Sequence, residues 1–284
     1  MSQINNIFSA YRVDPENVGD WWSPPHKYFN FSPTEIMDIK NIKTTSQPNT
    51  IIIGGGGLGR EDFRIYLQNL RSKFISSKLI GWGIGTDLPD YDENRKNYLS
   101  GPDLIGDYFD DFDILKTRVW TPDNPSQWVP CSSACHQYFD IFYDNNSDYD
   151  ILVYSHKRRK IQAKSYNNFW KKNRAFINIP KSVSMKHLDN SGNDLFAKLK
   201  LMSKARVILT NSYHGVYWGT LLGKKVICQP FKSGLFSFKH RPLYVNKDVT
   251  LDDLHAAPHY PGALDECRAA NVNLFSELKK YLFI

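Results

Sequence analysis

His214 and Gly215 lie within a stretch, Arg206–Pro230, that reads as strand, turn, helix and strand. Val207–Thr210 is the first strand, a helix of about ten residues starts at Ser212, Gly223 stops it, and Lys225–Gln229 is the second strand. Asn211 or Ser212 is placed to cap that helix. A helix N-terminus carries unsatisfied amides and a partial positive charge. A histidine in its first turn therefore sits beside a site for a phosphate or carboxylate. A second chemical cluster, Ser155-His156-Lys157-Arg158-Arg159-Lys160, follows the strand Tyr149–Tyr154 directly. Arginine can make two parallel bonds to a phosphate or carboxylate, so a basic strand-to-helix loop suits an anion, although such runs are also commonly solvent-facing patches.

The third cluster is Asn17-Val18-Gly19-Asp20-Trp21-Trp22-Ser23-Pro24-Pro25, a loop leading from a first strand to a helix near Lys27–Phe31. Asp20 either points into a cleft or shares turn hydrogen bonds with Asn17. The β-branched run Asn49–Ile53 ends in Gly54-Gly55-Gly56-Gly57-Leu58-Gly59 and is followed by an amphipathic stretch, Glu61–Phe74, which together form a βα unit of an open sheet. These glycines allow close approach to a ligand and equally allow a tight turn without one. They are not a dinucleotide fingerprint, because the acid expected about twenty residues on is absent from Leu79–Gly85.

The elements that position these residues alternate strand and helix, which makes the chain α/β. Its 284 residues suffice for two modest domains, divided in the polar stretch near Asn145–Asp148 into 1–147 and 148–284. Net charge is +7, unevenly spread: Ile151–Thr210 holds fourteen Lys/Arg and two Asp/Glu, and Ile84–Asp113 holds two and nine. The second half is suited to anionic partners. A strand at Ala175–Ile179, a helix at Asn193–Ser203, a basic loop with Lys232, Lys239, His240 and Arg241, and a closing helix at Leu274–Leu282 complete that half. The N-terminus lacks the features of a signal peptide and no apolar run reaches membrane-spanning length, so the expectation is a cytoplasmic protein. Cys131, Cys135, Cys228 and Cys267 read as reduced thiols. Cys131 and Cys135 beside His136 lack the partner pair that a zinc site needs, so no metal is expected.

Taken in order, these motifs resemble the polysaccharide pyruvyl transferase family. The resemblance rests on Asn17-Val18-Gly19-Asp20, the strand and glycines Ile51–Gly59, His156-Lys157-Arg158 after a strand, and above all Thr210-Asn211-Ser212-Tyr213-His214-Gly215 with Gly223-Lys224-Lys225 and its strand. It implies two Rossmann-like domains facing across a cleft, a GT-B-like layout. It also implies transfer of the three-carbon unit of phosphoenolpyruvate to two hydroxyls of one sugar, giving a cyclic ketal and phosphate without a cofactor. On that reading His214 is the acid or phosphate ligand and Asp20 the base. His156, Lys157, Arg158, Ser212, Tyr213, Gly215 and Lys239 would bind the donor, and the loops of Asn17, Gly19, Asp20, Gly55, Gly56 and Gly57 would lie on the acceptor side. The acceptor would be a polysaccharide repeat unit on a lipid or nucleotide carrier, and a lipid carrier would bring the enzyme to the inner face of the membrane. Many relatives carry an arginine just before the histidine, where this chain has Ser212-Tyr213; Arg158, Arg206, Lys239 or Arg241 are the available substitutes. The family's Gly-Asp-Pro is here Val129-Pro130-Cys131.

Two other readings compete. A nucleotide-sugar-dependent glycosyltransferase of the same architecture would place a diphosphate at the same helix start. A polyanion-binding module would use the basic half, but nucleic acid is disfavoured, because the cations sit at strand ends rather than along one helix or among stacked aromatics.

Overall fold

A computed structural model describes residues 6–31, 33–59, 61–86, 110–143, 146–161, 182–230, 237–246 and 248–282. The chain forms two compact units, along a more divided path than 1–147 and 148–284. Unit 1 comprises Met1–His136, Lys232–Lys239 and Asp265–Ile284; unit 2 comprises Gln137–Phe231 and His240–Leu264.

Unit 1 contains β1 (Ile7–Tyr11), α1 (Val18–Trp21), β2 (Glu35–Asp38), β3 (Thr50–Gly54), α2 (Glu61–Lys73), β4 (Lys78–Ile84) and β5 (Ile114–Thr117). All neighbouring strands pair parallel, in the order β2-β1-β3-β4-β5. β1 and β3 are buried along their whole length, as parallel strands covered on both faces must be, and this is why β3 reads as an unbroken apolar run rather than an alternating one. On α2, Phe63, Leu67 and Leu70 recur at helical spacing and pack with Phe74 against Phe8, Ile51, Ile53 and Leu79. The helix anticipated near Lys27–Phe31 is absent. Instead α1 carries Gly19 and Asp20 themselves, capped by Asn17, and a 3₁₀ turn follows at Pro25–Lys27. The Asn17 carboxamide captures the Gly19 amide and so starts the helix earlier than the prolines suggest.

Unit 2 contains α3 (Tyr138–Phe142), β6 (Tyr149–Ser155), β7 (Met185–Asp189), α4 (Leu195–Ser203), β8 (Ala205–Thr210), α5 (Tyr213–Leu221), β9 (Lys225–Cys228), β10 (Leu243–Tyr244) and α6 (Leu251–Ala256). Its strands are also parallel, in the order β10-β9-β8-β6-β7. The anticipated strand at Ala175–Ile179, Lys232 and most of the acidic run after Thr86 lie outside the described residues. The unit 2 break falls before Tyr138 rather than near 147 because α3 packs on α4, with Tyr138 and Phe142 each about 5 Å from the Phe196 ring (5.1 and 5.0 Å).

The closing helix α7 (Ala263–Leu282) is twice the anticipated length, and most of it belongs to unit 1. Leu274, Leu278 and Leu282 share a core with Ile7, Phe29, Ile52, Ile80 and Trp82. Within that core Asn271 is fully buried and fully used. Its Oδ1 accepts from Trp82 Nε1 at 2.8 Å, and its Nδ2 donates to Cys267 O (2.9 Å) and Pro130 O (3.3 Å). A buried amide is tolerated only when satisfied in this way.

Both sheets therefore follow one plan. Numbered within each unit, the spatial order is 2-1-3-4-5, and the direction of winding reverses between β1 and β3 in unit 1 and between β6 and β8 in unit 2. Open α/β sheets bind ligands at the carboxyl ends of the strands flanking that reversal. The expected two-domain α/β fold of Rossmann-like units is present.

Candidate functional site

In unit 2 the reversal brings two of the chemical clusters together. β6 ends at Ser155 and enters the loop His156–Lys160; β8 ends at Thr210 and enters α5. Asn211, 8% exposed, ties them: its Oδ1 accepts from the His156 amide at 2.7 Å and its Nδ2 donates to Arg159 O at 2.5 Å. Asn190, at the end of β7, accepts from the Lys157 amide at 2.6 Å. The Arg158 amide donates to His156 Nδ1 (3.2 Å), the Arg159 amide to His156 O (2.9 Å) and the Ile161 amide to Ser155 Oγ (3.0 Å). The amides of His156, Lys157, Arg158 and Arg159 are thus committed to shaping the loop, and an anion beside them would be held by side chains. Lys157 is half-buried while Arg158, Arg159 and Lys160 are exposed. Lys160 pairs with Asp189 at 3.6 Å. Burial alone would raise the Asp189 carboxyl, but the Ser191 hydroxyl and amide, with Lys198 and Lys160, together hold it below its usual range.

Asn211 is consequently not the cap of α5. Ser212 occupies the N-cap position, extended in backbone, and no side chain makes a capping bond there. Its amide donates to Thr210 Oγ1 (3.0 Å), and the Thr210 hydroxyl donates to Tyr154 O (2.6 Å), which locks the turn to both strands. All nine residues of α5 are buried, consistent with a sequence that carries no Asp, Glu, Lys or Arg. His214 is 6% exposed and packs against Trp218 (ring centroids 4.7 Å) and Tyr213 (5.1 Å). Gly215 is required by packing. A Cβ there would lie 2.0 Å from Thr210 Oγ1 and 2.7 Å from Tyr154 Cδ1, so only glycine lets the first turn of α5 sit directly on the ends of β6 and β8. Gly223 adopts φ +68° and ends the helix, as its position indicates.

Other donor-side candidates are placed elsewhere. Lys239 belongs to unit 1, where it forms an ion pair with Glu266 and stands over the rings of Trp120 (4.7 Å) and Trp128 (4.9 Å), so its charge is already engaged. Arg206 sits at the start of β8, four residues from Thr210 and hence roughly 13 Å from the strand's carboxyl end. It pairs with Asp150 at 3.1 Å. Arg241 lies over the Tyr244 ring at 5.8 Å. Of Arg158, Arg206, Lys239 and Arg241, Arg158 is the one in the His156 loop.

In unit 1 the corresponding edge gathers Asn17–Pro25 and the glycines. Asn17 Nδ2 donates to Asp20 Oδ2 at 2.7 Å, and Ser23 Oγ donates to Asp20 O at 3.0 Å, so the turn-bonding reading of Asn17 and Asp20 holds for these contacts. Half-buried Asp20 also faces the glycines: a Cβ on Gly56 would be 3.3 Å from its Oδ1. Gly55 and Gly56 have φ of +76° and +71°, and a Cβ on Gly54 or Gly55 would strike Pro25 or Ser23. Chain packing therefore accounts for Gly54, Gly55 and Gly56 before any ligand is invoked. Partly exposed Gly57 follows them.

Further polar residues escape a reading of the sequence. Ser9 Oγ and His26 Nδ1 are 2.7 Å apart, and burial, with Lys27 nearby, lowers the His26 pKa to about 4. Arg118 is 4% exposed, its guanidinium so close over Gly85 that a Cβ there would lie 2.3 Å from Nε. Asn190 and Arg118 are isolated polar residues at strand ends. Only the strand order gives them meaning.

The cysteines form no disulfide. Burial pushes the Cys135 thiol up to about 12, and it raises Cys131 and Cys228 as well. Among the described residues no group of three or more His, Cys, Asp or Glu side chains is gathered, and no helix is long and apolar enough to cross a membrane.

No family model matches the chain. No curated protein matches it either. Solved structures resemble it over most of its length at low identity. An uncharacterized protein from Klebsiella pneumoniae is 17% identical, with 80% of this chain and 84% of that one covered and a TM-score of 0.45. The UDP-GlcNAc 2-epimerase from Methanocaldococcus jannaschii is 9% identical, covering 97% and 99%, with a TM-score of 0.46. The wall teichoic acid polymerase TagF is 8% identical, covering 99% and 89%, with a TM-score of 0.45. At these values the likeness carries no argument about activity, and the fold assignment rests on the two parallel sheets themselves.

Proposed function

We propose that this chain transfers the pyruvyl unit of phosphoenolpyruvate to two hydroxyls of a sugar in a surface polysaccharide or its precursor, as a ketal-forming transferase. The observation that carries this reading is the unit 2 switch point. There Asn211 binds the His156–Arg159 loop to the turn that enters α5, so His156, Lys157 and Arg158 share one strand-end edge with His214. The donor carries a phosphate and a carboxylate. A basic loop and an α-helix N-terminus on one edge are two anion-favouring features suited to such a donor.

The chemistry requires a proton added at the donor's methylene carbon while a sugar hydroxyl attacks its central carbon. The second hydroxyl then displaces phosphate, and each hydroxyl gives up its proton. His214, in the first turn of α5, is assigned the phosphate or the proton delivered to carbon.

The test is inorganic phosphate release from phosphoenolpyruvate dependent on an added sugar acceptor. His214 is buried against Trp218, so His214→Asn, which preserves much of the packing, is preferable to alanine. The expected result is phosphate release by the wild type and none by a folded His214→Asn. A melting temperature raised by nucleotide diphosphates and not by phosphoenolpyruvate would move the assignment to glycosyl transfer. Steeply salt-dependent polyanion binding with neither ligand would replace the enzyme reading altogether.

A further inference from the structure

Gln229 stands at the carboxyl end of β9 on the same edge of unit 2. Its amide donates to Thr210 O at 2.8 Å, one step beyond the last paired residues, Thr210 and Cys228, which sets Gln229 level with Asn211. Side chains at matched positions of parallel strands share a face, and that face alternates along the strand. Thr210 abuts Gly215 of α5; the next position on each strand turns to the opposite face, where Asn211 and Ser155 bond to the His156–Ile161 segment. Gln229 therefore extends a row of polar side chains, Ser155, Asn211 and Gln229, along the strand ends beneath the basic loop.

Ser155 and Asn211 are satisfied by backbone groups of the His156–Ile161 segment. Gln229 differs. It is 8% exposed, yet its Nε2 makes no hydrogen bond among the described residues. Folded proteins pair nearly all buried polar groups, because a buried donor left unmade loses its water without replacement. A carboxamide that meets this condition at the ligand-binding edge of an open sheet is a donor waiting for an acceptor.

We propose that Gln229 Nε2 donates to the carboxylate of the bound donor substrate, while the phosphate is held by the α5 N-terminus and the basic loop. This inference rests on the proposed function and names a residue that contacts the substrate. A neutral amide matches a singly charged planar carboxylate, whereas the more highly charged phosphate calls for the cations and the helix end.

Calorimetric titration of phosphoenolpyruvate and, separately, inorganic phosphate into the wild type, Gln229→Leu and Gln229→Glu tests it. Gln229→Leu should weaken phosphoenolpyruvate by about tenfold or more while leaving phosphate affinity within about twofold, because only the carboxylate loses a partner. The same variant should melt higher than the wild type without ligand, since an unmade buried donor is removed. Gln229→Glu, of the same shape, should weaken phosphoenolpyruvate further by setting carboxylate against carboxylate, and it reads the same question should the leucine variant fold poorly. Unchanged phosphoenolpyruvate affinity in both variants overturns the role of Gln229 alone. Equal loss for phosphoenolpyruvate and phosphate overturns the assignment to the carboxylate. A wild type that binds neither overturns the proposed function, and this inference with it.

Discussion

Gly215→Ala is the substitution that most directly measures how the His214 turn is held. An added Cβ would sit 2.0 Å from Thr210 Oγ1, 2.7 Å from Tyr154 Cδ1 and 2.8 Å from Thr210 Cβ, against an ordinary contact of 3.4 Å or more. Relief requires movement of 3.4 − 2.0, or about 1.4 Å. Thr210 cannot rotate away cheaply, because its hydroxyl bonds both Tyr154 O and the Ser212 amide. The helix start must therefore lift off the strands. Overpacking of this kind costs about 3 kcal/mol, at the top of its usual range. Alanine's better helix propensity returns about 1 kcal/mol, leaving a net loss of about 2 kcal/mol. Urea unfolding followed by circular dichroism would show this as a lower midpoint with an unchanged slope. Displacing His214 by about 1 Å should also cost roughly 100-fold in kcat/KM for phosphate release. Gly262→Ala is the control: nothing lies within 4 Å of its Cβ position, and stability should hold within about 0.5 kcal/mol. A Gly215→Ala protein as stable as that control would refute the argument that glycine is needed to seat α5.

Three other expectations follow from the same contacts. Asn211→Ala removes the acceptor for the His156 amide and the donor to Arg159 O, which should destabilise the protein by roughly 1–3 kcal/mol and weaken phosphoenolpyruvate binding, read by thermal melting and calorimetry. His26, lowered to about 4 by burial and then by Lys27, is neutral in the folded state where an unfolded histidine is charged. Its contribution is complete above about pH 6.5 and is lost as pH falls from there through about 4. Urea midpoints at pH 7, 5.5 and 4.5 should decline in that window, and the decline should be shallower in His26→Asn. Lys239→Ala should cost about 1 kcal/mol through its lost pairing with Glu266 and its two tryptophans, with phosphoenolpyruvate affinity unchanged; a large affinity loss would restore it to the donor site.

The chemical groups and most of the scaffold were legible in the primary structure. β-branched runs such as Ile51–Ile53, the amphipathic Phe63–Leu67–Leu70 spacing and the Gly223 stop each follow from local preference, and local preference sufficed to identify the two α/β halves. His156–Arg158 and His214 were identifiable as anion-seeking residues because each follows a strand directly. What local pattern could not convey was pairing between distant segments. That β6 lies beside β8, with β7 on its far side, is decided by the packing of the whole sheet, and only this order makes the His156 loop and the His214 turn neighbours. The same holds for Asn211, which looks like a helix cap in sequence but finds stronger partners 55 and 52 residues away in His156 and Arg159. Lys239 looked like one more cation in a basic half until Glu266 and two tryptophans claimed it. α7, read as a short terminal helix, is anchored by Asn271 to Trp82, 189 residues earlier. Residue types and spacing determined what chemistry this chain could perform; tertiary structure determined which groups meet, because hydrogen bonds and buried surface between remote segments outweigh the weaker preferences of neighbours along the chain.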